Sequence, residues 1–311
     1  MTNSVTGPTI AVVICTYNRN QALTTLLEAL VASVAHVAGR AAVEVVVVDD
    51  SADGKARTVV EQFAGRFELG ITYRKSGRQN ISLARNLAIE TGSGIADWTA
   101  MIDDDCEPVP EWLEAMLNTQ QRTGADAVTG TMVRRVPVGS PRWITEEPFL
   151  EYGLQHFDDG VQLPFAATFN SMISSRWLKD HPTIRFEPNL GVTGGEDMVF
   201  YGAARVAGLR IHYSQRAIVY ENEPPSRATL SYWLRAFFWF GNTSYVTSVR
   251  NGTHPFRMFI SGVNKLRKAL VRPIVRLYRG ERPQMRYCLS SVLYAIGMMI
   301  GLFGIRVNHP L

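Results

Sequence analysis

The chain has 311 residues, 46% of them hydrophobic and 19% charged, enough for one large domain with an appendage and too apolar for a disordered tail or a fibre. Its net charge of +4 conceals a division: residues 1–223 carry 19 Lys and Arg against 27 Asp and Glu, whereas residues 224–311 carry 13 against 1. An acidic front and a basic rear imply different partners, and the three cysteines, Cys15, Cys106 and Cys288, are too scattered for a disulfide framework or a zinc knuckle.

Met1 to Pro8 is polar and has no cationic stretch followed by an apolar core, so no secretory signal is expected and the bulk of the protein is placed in the cytoplasm. Thr9 to Cys15 is a short β-branched run that predicts a strand. Leu23, Leu26, Leu27, Leu30, Val31 and Val34 then recur at three- and four-residue spacing, one face of an amphipathic helix. Val43 to Val48 predicts a strand buried on both faces. Ile71 to Tyr73 predicts a third strand, Ser82 to Thr91 a helix, and Trp98 to Ile102 a fourth strand that runs into three aspartates. A helix is expected from about Pro110 to Arg122, with proline in its first turn. Val133 to Pro164 reads as long loops. Strands are expected at Thr168 to Ser174 and Leu209 to Tyr220, flanking a helix that opens after Gly194-Gly195. The alternation predicts an α/β fold with a mostly parallel sheet over residues 1–223, followed by a helical extension over residues 224–311.

Three predicted strand tips carry polar residues: Thr16-Tyr17-Asn18, Asp49-Asp50 and Asp103-Asp104-Asp105. Ligands of open parallel sheets bind beyond the carboxyl ends of the strands. Three adjacent carboxylates repel one another unless a cation sits among them, and Asp103 and Asp105, spaced as Asp-x-Asp, suit Mg²⁺ or Mn²⁺. A solvated acidic turn is the other reading of this cluster. Asn80, Ser82, Arg85 and Asn86 open a helix whose free N–H groups and arginine would attract an anion. Gly194-Gly195-Glu196-Asp197 turns tightly into an acidic helix start. There the carboxylates either complement the helix dipole or include a general base.

In order, Val-Ile-Cys-Thr-Tyr-Asn-Arg (13–19), Val-Val-Asp-Asp-Ser (47–51), Ala-Arg-Asn (84–86), Asp-Asp-Asp (103–105) and Gly-Gly-Glu-Asp (194–197) resemble the family 2 glycosyltransferases. The resemblance covers about residues 9–223 and implies a GT-A fold and inverting chemistry. Asn-Ile-Ser-x-Ala-Arg-Asn, Pro225 to Leu230, the Phe-x-x-Gly-Asn-Thr ending at Thr243 and Gly301-Leu302-Phe303-Gly304 are similar to β-1,4-glucosyltransferases of succinoglycan-type exopolysaccharide assembly. That similarity implies a UDP-glucose donor and an acceptor oligosaccharide on a polyprenyl diphosphate. Position by position it implies that Thr16, Tyr17 and Asp50 serve the donor's base, Arg85 the diphosphate, and Asp103 and Asp104 the ribose and sugar. It further implies Asp105 with Asp103 as metal ligands, and Asp197, beside Glu196, as the base. Many members place a His after the strand that follows the Glu-Asp helix; this chain has Tyr220, which implies a looser metal site or one completed by water.

Between Arg250 and Arg286 ten cations face one acid, Glu281, and interleave with Phe256, Phe259, Ile260, Val263, Leu266, Leu270, Ile274, Val275 and Leu277, the makeup of an interfacial helix on anionic lipid. Tyr287 to Ile305 is uncharged over 19 residues but interrupted by Gly297, Gly301 and Gly304, close to the minimum span of a bilayer. The expectation is a protein at the cytoplasmic face of a membrane; a core-facing helix is the competing reading. Nucleic acid is not expected as a partner, since the aromatics do not form a base-stacking platform. Arg227, Arg235 and Trp233 are candidates for the acceptor and its diphosphate. A catalytically silent binding protein on the same fold is the rival function, against which Asp103, Asp105 and Asp197 speak. A nucleotidyltransferase would carry a Gly-rich phosphate loop where this chain has Thr16-Tyr17-Asn18-Arg19-Asn20.

Overall fold

The computed structural model describes residues 7–308; most of the segment read as lacking a secretory signal lies outside the described residues. In chain order the elements are β1 (Thr9–Thr16), α1 (Asn20–His36), β2 (Ala42–Asp49), α2 (Ala56–Gln62), β3 (Ile71–Lys75), α3 (Ile81–Ile95), β4 (Trp98–Asp103), β5 (Cys106–Pro108), α4 (Trp112–Thr123) and β6 (Ala127–Arg135). They continue with α5 (Trp143–Glu146), β7 (Gln162–Leu163), β8 (Asn170–Ser174), α6 (Ser175–Asp180), α7 (Glu196–Val206), β9 (Ile211–Asn222), α8 (Leu230–Arg250), α9 (Pro255–Tyr278) and α10 (Met285–Ile300).

The strands form one sheet in the order β3-β2-β1-β4-β8-β6-β9-β5, with β7 on β9. Its first half is parallel, β3 on β2, β2 on β1 and β1 on β4. β8 then joins β4 antiparallel, and β5 and β7 are antiparallel to β9. The all-valine stretch of β2 is fully buried from Val45 to Val48, and α1 buries Leu23, Leu26, Leu27 and Leu30, the face its spacing marked. One core cluster joins Ala11 and Val13 of β1 and Val46 and Val48 of β2 to Ala84, Ala88 and Ile89 of α3. α3 comes close because Gly92 leaves room: a Cβ there would stand 2.8 Å from a Val13 methyl.

By contacts the chain divides into two compact units. The first comprises residues 1–133, 155–191 and 200–222, the second 134–154, 192–199 and 223–311. The second unit thus joins two earlier segments to the C-terminal helices. The second unit is built on α8, against which α10 packs, and α9 in turn packs on α10. Its core is aromatic: Phe149, Trp233 and Phe237 are buried, with Trp143, Tyr152, Tyr287 and Tyr294 around them. Glycines set the helix spacing. A Cβ on Gly241 of α8 would meet the Tyr294 carbonyl oxygen of α10 at 1.9 Å, and one on Gly297 would meet the Phe238 carbonyl oxygen at 2.0 Å. Of the two, Gly297 is one of the glycines that interrupt the apolar C-terminal run. Met285–Phe303 is long and apolar enough to cross a membrane, with 33% of it buried, and its Gly297 face is a helix-packing surface.

Candidate active site

In the first unit β1, β2 and β4 end at one level. Thr16 pairs with Asp49 across β1 and β2, and Cys15 with Asp103 across β1 and β4, so the three polar tips form one edge of the parallel half-sheet. The residues just beyond the strands divide their labour. Asp49 is fully buried and accepts hydrogen bonds from Ser51, from the Ala56 N–H that opens α2 and from the Tyr73 hydroxyl at 3.1 Å. It is scaffold. Asp50, also buried, accepts from the backbone N–H groups of Arg78 (3.0 Å) and Asn80 (2.6 Å) and so draws the segment before α3 to the strand tips.

The Asn-Ile-Ser-Leu-Ala-Arg-Asn segment is resolved into separate tasks. Asn80 caps α3, accepting from the Leu83 N–H, while its amide donates to the Pro188 carbonyl at 2.8 Å. Asn86 exchanges two hydrogen bonds with the backbone of Phe186. Ser82 is buried with its hydroxyl unpartnered. Arg85 lies with its guanidinium 6.0 Å from the Phe186 ring and donates to Asp103 at 3.1 Å. The helix start thus serves mostly as a strut, and Arg85 is the residue it presents.

The three aspartates point different ways. The Asp104 side chain is only 6% exposed, accepts from the Thr16 hydroxyl at 2.8 Å and is paired with Arg19 at 3.1 Å. Burial pushes its carboxyl above the usual carboxylate range, against the pull of Arg19. Asp105 pairs with the same Arg19 nitrogen at 2.9 Å, and Asp103, with a third of its side chain exposed, pairs with Arg85. Thr16 and Asp104, both expected to serve the donor, here have their side chains turned inward onto each other. Tyr17 is 44% exposed at the rim, free in area to stack on a ring. Arg19 offsets the repulsion within the triad, a role its position in the Thr-Tyr-Asn-Arg run did not disclose. The left-handed φ of +55° at Asn18 turns the chain just before it, and Asn tolerates that conformation better than most residues. Burial, opposed by Arg85, lifts the Cys15 thiol beside this edge to about 12.

Among the described residues no three His, Cys, Asp or Glu side chains stand together as a metal cage. Mg²⁺ in nucleotide enzymes commonly rests on one or two carboxylates plus substrate phosphates, and Asp103 and Asp105 supply hard oxygen donors of that kind. Tyr220 of β9 is paired with Glu107 of β5, and the Asn222 N–H donates to the Asp105 carbonyl at 3.1 Å. The end of β9 therefore fixes the backbone next to the triad.

In the second unit the Gly-Gly-Glu-Asp box is held on α8. Gly194 and Gly195 have φ of +82° and +87°, accessible to glycine at little cost. A Cβ on Gly194 would stand 2.4 Å from the Trp239 ring, and one on Gly195 2.4 Å from a Thr247 methyl and 2.7 Å from a Thr243 methyl. The Trp239 indole N–H donates to the Thr193 carbonyl at 2.6 Å, and Asn251 donates to the Met198 carbonyl. Glu196 is buried; Asp197 is half-buried, with one oxygen accepting from the Met198 N–H at 2.7 Å. The other face of the same α8 stretch carries Asn242, which donates to the Gly297 and Ile305 carbonyls and accepts from the Val307 N–H. Of the residues expected at the acceptor, Arg227 is paired at 3.0 Å with the buried Glu223, Arg235 is exposed and donates to Ser231, and Trp233 lies in the aromatic core.

Residues 11–181, more than half of the chain, match the model of glycosyl transferase family 2. The chain belongs to that family. It is 29% identical over 308 residues to the succinoglycan biosynthesis protein ExoM of Rhizobium meliloti, covering 94% of this chain and 92% of that one. It is also 29% identical over 142 residues to a glucosyl-dolichyl phosphate glucuronosyltransferase of Haloferax volcanii, 45% of this chain and 41% of that one. Among solved structures it resembles residues 1–349 of S. aureus TarS in complex with UDP, with a TM-score of 0.54 at 16% identity over 96% of this chain and 92% of that one. The fold is GT-A-like: a mixed sheet with a parallel half, flanking helices and a helical C-terminal region.

Proposed function

We propose that this family 2 glycosyltransferase moves a hexose, glucose, from a UDP donor to an oligosaccharide carried on a polyprenyl diphosphate, with inversion at the transferred carbon, at the cytoplasmic face of a membrane. The observation that carries the proposal is the shared level of three strand tips, which gathers Tyr17, Asp50, Arg85 and the Asp103–Asp105 triad on one sheet edge. Similarity to a succinoglycan biosynthesis protein along nearly the whole length supports exopolysaccharide assembly as the setting. The UDP and UDP-GlcNAc complexes of TarS support a uridine nucleotide as the donor's carrier.

In this reading Tyr17 stacks on the base and Asp50, anchored through Arg78 and Asn80, orients it. Asp105 and Asp103 would hold Mg²⁺ or Mn²⁺, which when bound offsets charge on the diphosphate. Arg85 exchanges its pairing with Asp103 for the diphosphate and stabilises the negative charge that grows on departing UDP. Asp197 removes the proton from the attacking hydroxyl, and Glu196 fixes the start of α7 beside it. The test is release of UDP from a panel of nucleotide-sugars with Mn²⁺ or Mg²⁺, with and without a membrane extract, followed by NMR assignment of the product's anomeric configuration. UDP-glucose should be preferred and the configuration inverted. A purified enzyme that binds but never turns over any donor would instead favour the silent binding protein.

A further inference from the structure

The second unit carries a surface that its own packing leaves uncovered. α9 turns Met258, Gly262 and Ala269 inward, and a Cβ on Gly262 would stand 2.7 Å from the Met299 side chain of α10. On the remaining circumference Phe256, Ile260, Val263, Leu270, Ile274 and Tyr278 follow at three- and four-residue steps, broken once by Arg267. Each of the apolar six is 46% to 94% exposed. The stripe runs the length of a 24-residue helix, roughly 36 Å at the helical rise. Scattered exposed apolar residues are ordinary, but a continuous stripe of this length marks an interaction surface.

The charge beside the stripe says what covers it. α9 contains six Lys and Arg and no acid. Arg267, Lys268, Arg272, Arg276 and Arg279 line a groove of about 540 Å³ with Glu281 as its one acidic member. Glu281 is taken by Arg276 at 3.0 Å, and Arg272 donates to Gln284, which leaves Arg267, Lys268 and Arg279 facing solvent. A second copy of the chain meeting this face across a two-fold axis would set these like charges against one another. Nucleic acid would match the cations and strand the aliphatic stripe in water.

We propose that α9 lies in the plane of a bilayer, its stripe from Phe256 to Tyr278 sunk at the boundary of headgroups and chains and the Arg267–Arg279 groove holding the phosphates of anionic phospholipid. The short turn Gly301–Phe303 touches α9, and its Phe303 is 74% exposed. This deepens the membrane-associated reading above by naming the surface and its lipid class.

The experiment is flotation of the purified full chain with phosphatidylcholine vesicles containing or lacking phosphatidylglycerol. UDP release from the donor without vesicles is read in parallel. Wild type should float with the anionic vesicles alone and be released by salt. Arg267→Glu with Lys268→Glu should weaken binding by roughly fivefold per charge removed, and Ile274→Glu by at least about tenfold, with vesicle-free UDP release unchanged for both. Ile274→Trp, read by brominated-chain lipid quenching, supplies a second measurement should a charged variant fold poorly: quenching above wild type is expected. Undiminished flotation of the variants, no flotation of wild type, no added quenching, or a wild-type dimer that Ile274→Glu converts to monomer would each overturn the proposal. Absence of UDP release alongside intact flotation would count against the transferase reading alone.

Discussion

Gly195→Ala separates the two demands placed on the turn before α7. The left-handed backbone at φ +87° costs a residue with a Cβ roughly 1–2 kcal/mol. The added methyl also meets Thr247 and Thr243 methyls at 2.4 and 2.7 Å, an overpacking that costs about 1–3 kcal/mol, so the total is about 2–5 kcal/mol. Gly208→Ala is the control, because it sits at φ +92° with nothing within 4 Å of its Cβ and bears the backbone cost alone. Thermal unfolding should therefore show Gly195→Ala clearly less stable than Gly208→Ala. Replacing Thr243 and Thr247 by Ser in the Gly195→Ala background should recover the packing share and leave the backbone share. Since displacing a catalytic group by about 1 Å can cost on the order of 100-fold in rate, kcat should collapse in Gly195→Ala and not in Gly208→Ala. Equal melting temperatures and equal rates for the two variants would refute the view that α8 clamps this turn.

Asp197→Asn should abolish sugar transfer while leaving UDP-sugar affinity within a few fold; turnover near wild type would assign the base elsewhere. Glu147 is buried, accepts from the Tyr287 N–H at 2.7 Å and pairs with Arg286, so it caps α10 where Gln284 supplies no side-chain cap. Glu147→Ala should lower stability by about 1–3 kcal/mol, and a change below a few tenths would show that α10 holds its place without it. Arg210, by side-chain hydrogen bonds, holds the Asp126 carboxyl below its ordinary value. A depressed carboxylate pKa contributes stability above the unfolded value of 3.8, lost as pH falls through the folded one. The deficit of Asp126→Asn, measured by denaturant titration, should thus be present at pH 7 and fade in acid below pH 3.8, whereas a deficit independent of pH would point to packing instead.

Much of the first unit was legible because its signals are local. Apolar β-branched runs gave β1, β2 and β4, and leucine spacing gave the buried face of α1. The fold's rule that ligands sit beyond strand ends placed Asp50 and the triad on one edge. β6 was not read from the sequence; in the structure a Cβ on its Gly130 would meet the Ala217 carbonyl oxygen at 2.1 Å, so glycine is what admits β9. Pro110 was expected inside α4, yet the helix begins at Trp112, after a turn closed by the Trp112 N–H on the Val109 carbonyl. Long-range pairings carry no sequence period. Nothing local foretold that Arg19 would bridge Asp104 and Asp105, that Asn86 would fasten Phe186, or that Trp239, Thr243 and Thr247 would grip a glycine pair some 50 positions earlier. The same holds for Gly297 and Gly301, which looked like flaws in a membrane span and pack closely on Phe238 and Tyr245 of α8.

If the strand-tip carboxylates hold a nucleotide diphosphate through a divalent ion, calorimetric titration of UDP with and without Mn²⁺ will register it. Wild type should bind UDP at least about tenfold more tightly with the ion, and Asp105→Ala should lose that enhancement while keeping its metal-free affinity. An identical metal-stimulated affinity in the variant, or no stimulation in wild type, would exclude a metal bridge at Asp105.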